Sequence, residues 1–118
     1  MNPVRLGTKR SKYNVAEKAA RQLDGYTFDS KAEMQRYAQL RLLERANDIQ
    51  NLQVHPSWVV KWPGTDVTIC LVELDFSYTD VGQGRFRVED VKGVDTALSK
   101  VKRKLVEQAF RLKVEMIK

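Results

Sequence analysis

Apolar positions along this 118-residue chain switch between two periods. Met34, Tyr37, Ala38, Leu40 and Leu42 recur at three- and four-residue steps, which gather on one face of an α-helix. Ser30-Lys31-Ala32-Glu33 just before them has the Ser-x-x-Glu form of a capping box, so a helix is expected over residues 31–47. After Asn47-Asp48 the pattern changes. Val54 to Trp62 is rich in branched and aromatic residues and closes on Pro63-Gly64, which predicts a strand. Thr68 to Tyr78 alternates, with Cys70, Val72, Leu74, Phe76 and Tyr78 on one face and Glu73, Asp75 and Ser77 on the other. Gly82-Gln83-Gly84 reads as a turn, and Arg85 to Lys92 as the returning strand of a hairpin ended by Gly93. From Thr96 onward Leu98, Val101, Leu105, Ala109, Leu112 and Met116 return to helical steps, predicting a long amphipathic helix to near the C-terminus.

The N-terminal stretch lacks either period. Residues 1–14 read as a flexible basic arm, Asp24-Gly25 as a turn, and Tyr26-Thr27-Phe28 as a short extended piece. The expected architecture is α+β: a helix, a three-stranded antiparallel meander and a long helix, forming one domain over residues 15–118. The length suits a single core. No stretch approaches the roughly 18–20 apolar residues of a membrane span, and MNPVRLGTKRSKYN lacks the apolar core of a signal peptide, so a cytoplasmic protein is expected. The single Cys70, in an apolar run, is expected to be a buried small hydrophobe. With one histidine, His55, a His/Cys zinc site is not expected. Trp58 and Trp62 are expected in the core, with a dimer surface as the alternative.

Charge adds a second pattern to the net +6. Residues 1–12 carry Arg5, Lys9, Arg10 and Lys12 and no acid, and residues 97–118 carry seven basic groups against Glu107 and Glu115. The segment between is net acidic. Cationic flanks around an anionic centre suit a polyanion held near a metal site, although basic ends also arise for solubility alone.

The hairpin locates that centre. A turn at Gly82-Gln83 pairs residues whose numbers sum to 165, so Asp75 lies opposite Asp90 and Glu73 opposite Lys92. The period of two keeps Asp90 and Lys92 on one side and turns Glu89 to the other. Two carboxylates facing each other across a strand pair repel unless a cation lies between them, and Mg²⁺ suits such oxygen ligands. Glu33 shares a helix face with Tyr37 and Leu40 and is either a further acid of the site or a helix cap. Lys92 on its own would read as a solvated strand-edge lysine.

On these residues the chain resembles the PD-(D/E)XK nuclease superfamily, in particular small phage proteins related to Holliday junction resolvases. The segment DGYTFDSKAEMQRYAQLRLLERANDIQNLQVHPSW is similar to their N-terminal helix and first strand, and ELDFSY followed by VEDVKG to their catalytic hairpin. The resemblance implies a restriction-endonuclease-like core with Asp75, Asp90 and Glu33 as metal ligands and Lys92 as the motif lysine. It also implies Mg²⁺, with Mn²⁺ able to substitute, and hydrolysis of DNA phosphodiesters. Branched DNA such as a Holliday junction would be the substrate, cut by a homodimer in the host-cell cytoplasm. Leu74 stands in place of the motif's proline, which is often absent in the superfamily, and Glu89 would replace Asp90 if a bulge shifted the register. Lys9, Arg10 and Lys12 on the arm, with Lys100, Lys104 and Arg111 on the last helix, are the expected DNA backbone contacts. The competing reading is a non-catalytic nucleic-acid-binding or phage assembly module whose acids only form a salt-bridged sheet face.

Overall fold

The computed structural model describes residues 17–91 and 93–118. The chain groups into two compact units, residues 1–36 and 37–118. In the first, a 3-10 turn over Lys18–Arg21 leads into β1 (Gln22–Leu23) and β2 (Tyr26–Thr27), a small antiparallel hairpin. Asp24 and Gly25 both take positive φ there (53° and 84°), the backbone a two-residue hairpin turn requires. The helix α1 (Lys31–Arg45) begins in this unit and continues into the second. It stops because Asn47 turns left-handed (φ 63°), so that the N–H groups of Asn47 and Asp48 close on the carbonyls of Glu44 and Leu43.

The second unit is built on a four-stranded sheet. It contains β3 (Ile49–Val54), β6 (Phe76–Asp80), β7 (Arg85–Val91) and β8 (Val114–Ile117), in that spatial order. The first three are antiparallel and β8 is parallel to β7, reached through α2 (Ala97–Phe110). A separate two-stranded ribbon pairs β4 (Ser57–Lys61) with β5 (Thr68–Glu73).

Three expected elements are therefore redrawn. The strand expected over 54–62 breaks at His55-Pro56, where His55 takes φ 55° and Pro56 has no N–H to offer a ladder. The strand expected over 68–78 breaks opposite it, at Leu74-Asp75. Two bonds tie the breaks together, from His55 N–H to the Asp75 carbonyl (2.9 Å) and from Leu74 N–H to the Pro56 carbonyl (3.0 Å). Both chains thus leave the ribbon for the sheet at the same level. The last helix ends at Phe110, because Arg111 turns left-handed and the Leu112 N–H returns to the Glu107 carbonyl. The residues beyond it form β8, where Val114 is buried opposite Val88.

The two faces of the sheet pack differently. Phe76 and Tyr78 lie on one, with the Tyr37 ring of α1 stacked 6.4 Å from Phe76. On the other, Val88 and Val114 join Val60, Val72, Leu74 and Val106 in one cluster, with Trp58, Cys70, Leu105 and Leu112 against it. Cys70 is a free, half-buried thiol. Trp58 packs as expected, whereas Trp62 is exposed. No helix among the described residues is long and apolar enough to cross a membrane.

Candidate functional site

The β6–β7 hairpin keeps the expected register. Its pairs run from Phe76↔Glu89 to Asp80↔Arg85, all summing to 165, although the turn spans the four residues 81–84. The Asp80 side chain shapes that turn by accepting from the Gln83 N–H (3.0 Å), and Gly84 supplies its positive φ. One step beyond the ladder the same register sets Asp75 against Asp90, close enough for the Asp75 carboxyl to act on the Asp90 carboxyl. Asp75 is also anchored from the side, its Oδ2 accepting the Val91 N–H at 2.6 Å. The strand break at Leu74-Asp75 gives this placement its chemistry. Asp75 is held where β5 has left and β6 begins, so its carboxylate faces β7 at the open end of the ladder.

Asp90 keeps 21% of its side chain exposed. Its carboxyl is pushed up to about 7, first by burial and then by the Asp75 charge and the bond with Asp75. Arg103 pulls the other way. Its Nη1 lies 3.6 Å from Asp90 Oδ2, and its fork grips both oxygens of Asp95 at 2.9 Å. That fork holds the guanidinium above its ordinary pKa.

Asp90, Asp75, Asp95 and Arg103 thus form one half-buried cluster. Asp95 and Arg103 were not singled out as site residues by the sequence reading. The available signal was the helical step from Arg103 to Val106, which puts an arginine beside the buried face of α2.

The other expected residues are distributed as follows. Glu73 does not join the patch, because β5 turns into the ribbon and sets it opposite Ser57. Lys92, like Lys9, Arg10 and Lys12, lies outside the described residues. Glu33 is buried at 2% exposure in the first unit, and its described bonds are those of a cap. Its N–H donates to Ser30 Oγ (3.1 Å) and its Oε1 accepts the Asp29 N–H (2.9 Å), one residue ahead of the usual capping-box donor. Lys100, Lys104 and Arg111 are exposed.

Glu89, next to Asp90, points to the opposite face. It is fully buried and accepts a short hydrogen bond from the Tyr78 hydroxyl. Beside it Arg87 clamps both oxygens of Glu115 (2.5 and 2.8 Å), reaches Asp80 at 3.1 Å, and lies over the Tyr78 ring. No bulge interrupts the pairing from Phe76↔Glu89 to Asp80↔Arg85.

The donor set at Asp75 and Asp90 fits a hard divalent cation. Two carboxylates that repel each other would be relieved by it, and Mg²⁺ commonly takes one or two protein carboxylates with the rest water or phosphate oxygen. Among the described residues no group of three His, Cys, Asp or Glu side chains is placed to hold a metal.

Fold and site together define an α+β protein with a coupled aspartate pair at a strand break. The chain belongs to the family described as Protein of unknown function (DUF1064), whose pattern matches residues 10–118. No curated protein and no solved structure matches it.

Proposed function

We propose that this protein is a divalent-cation-dependent DNA endonuclease of the PD-(D/E)XK type, acting on branched DNA such as a Holliday junction. The observation that carries the reading is the Asp75–Asp90 carboxyl pair, set face to face by the hairpin register, together with the Asp-x-Lys spacing of Asp90 and Lys92 in the sequence. The order of α1, three antiparallel sheet strands and α2 also supports a restriction-endonuclease-like core, with the ribbon inserted between the first and second of those strands.

In this reading Asp75 and Asp90 would hold Mg²⁺, or Mn²⁺ in its place. When bound there it would supply Lewis-acid polarisation of the scissile phosphate and a more acidic water. The chain's own residues do the rest. The Val91 N–H holds Asp75 in place. Arg103 steadies Asp90 and lowers the cost of its negative charge. Lys92, two residues from Asp90, orients the attacking water or meets the charge developing on the phosphate. Lys100, Lys104 and Arg111 contact the DNA backbone, giving affinity without reading sequence.

One observation favours the competing reading. Arg103 already neutralises part of the cluster, as a salt-bridged sheet face in a non-catalytic DNA-binding or phage assembly module would need.

The deciding experiment incubates the protein with a labelled four-way junction, a matched linear duplex and a single strand, in Mg²⁺ or EDTA, beside Asp90→Asn. Cutting of the junction that needs metal and is lost in the variant is the expected result. Equal cutting of all three substrates would remove the junction selectivity. Binding without cutting would establish the non-catalytic module.

A further inference from the structure

The ribbon β4–β5 buries one face and leaves the other open. Trp58, Val60, Cys70 and Val72 point inward to the core cluster, so the alternation sends Val59 and its cross-strand partner Leu71 outward. With Ile69 and, at the ribbon's end, Trp62 and Val67, they make a run of large apolar side chains between 43% and 63% exposed. Isolated exposed apolar residues are ordinary, but five on one ribbon form a patch of the kind that marks an interface.

Charge at the two ends of this face indicates what covers it. Glu73, opposite Ser57, stands exposed at one end, and Lys61, opposite Thr68, at the other, with a long 3.8 Å contact to the fully exposed Asp66. The middle is uncharged. Such a face has no cationic excess for a polyanion or an anionic membrane surface. It is, however, complementary to itself. A two-fold axis lying in the contact plane and perpendicular to the strands reverses the partner's ribbon. Val59 and Leu71 then meet their own copies near the axis, while Glu73 meets Lys61 of the partner subunit and Lys61 meets Glu73 of the partner subunit. An axis along the strands would instead oppose like charges, which selects the first arrangement.

We infer that the outer face of the ribbon is a homodimer interface in which Val59, Leu71 and Ile69 form the apolar centre and Lys61 and Glu73 pair across the two-fold axis. The inference rests on this surface alone. It deepens the nuclease reading, since two symmetric cuts in a junction need two active sites.

Sedimentation equilibrium of the full chain from about 1 to 100 µM, the range of weak specific association, tests it without any activity measurement. The expected species has twice the 13.6 kDa chain mass. Lys61→Glu and Glu73→Lys should each weaken the dimer by about tenfold or more, and the double variant should restore it, because reversing both charges rebuilds the pairs in mirror form. Leu71→Lys should leave a monomer whose circular dichroism spectrum is unchanged. A wild type that stays monomeric would overturn the inference. So would single reversals that leave the dimer untouched, or a double variant that fails to recover it. Metal-dependent cutting by a monomer would refute the dimer and leave the nuclease standing.

Discussion

Glu89 and Asp90 are adjacent on β7, yet they end in opposite environments, and comparing them separates an acid that supports the fold from one available for chemistry. Glu89 turns to the face of Phe76 and Tyr78, where it is fully buried and bonded by the Tyr78 hydroxyl beside the Arg87–Glu115 clamp. Asp90 turns to the α2 face, where among the described residues it meets another carboxylate and an arginine already shared with Asp95. The first acid has a neutral hydroxyl donor at hydrogen-bond distance. The second meets a like charge, a conflict that a cation would resolve. The period of two in a strand is enough to assign neighbouring residues such different roles.

The sharpest way to break this comparison is to remove the charge from each side in turn. Asp90→Asn, Asp75→Asn and Lys92→Ala should each lower metal-dependent cleavage by at least about a hundredfold, since even partners one shell out from a metal cost 10–100-fold when lost. Melting of the two aspartate variants should stay at or above wild type, because each relieves the repulsion between the pair. Cleavage surviving all three would remove the proposed site.

Tyr78→Phe should behave in the opposite sense. It removes the Tyr78 hydroxyl from the buried Glu89 and should cost about 1–3 kcal/mol of stability, while turnover at low temperature is retained. A variant that melts like wild type would show that the hydroxyl carries little of the burial cost.

Glu33→Gln sharpens a smaller difference. Capping alone predicts a loss of about 1 kcal/mol with normal turnover, read by melting and cleavage together. Lost turnover without lost stability would instead support Glu33 as the metal ligand that the superfamily resemblance implies.

The least intrusive test uses pH. The Asp90 carboxyl titrates near 7 in the folded chain against 3.8 for the ordinary group, so its protonated form is favoured by folding. Its contribution to stability is complete below about 3.8 and is lost as pH rises through about 7. Adding Mg²⁺ should therefore raise the melting temperature more at pH 8 than at pH 5.5, and Asp90→Asn should flatten that difference. An equal metal effect at both pH values would dissociate the aspartate pair from cation binding.

The local pattern along the chain was enough for several features. The capping box at Ser30–Glu33, the Asp24-Gly25 turn, the start of α2 at Thr96 and the hairpin register that pairs Asp75 with Asp90 all depend on residues close in sequence, and periodicity or turn chemistry carries that information. Tertiary structure decided what required a distant partner. Val54 to Trp62 and Thr68 to Tyr78 each read as one strand, and they divide between two sheets because His55 and Leu74 trade backbone bonds with Asp75 and Pro56 across the break. Val114–Ile117 fits helical and strand periods alike, and its pairing beside β7 makes it a strand. Arg103 became the neighbour of Asp90 only when α2 folded back over the sheet. A sequence displays spacing along the chain, whereas the end of a ladder and the company of a charge are set by groups far apart in it.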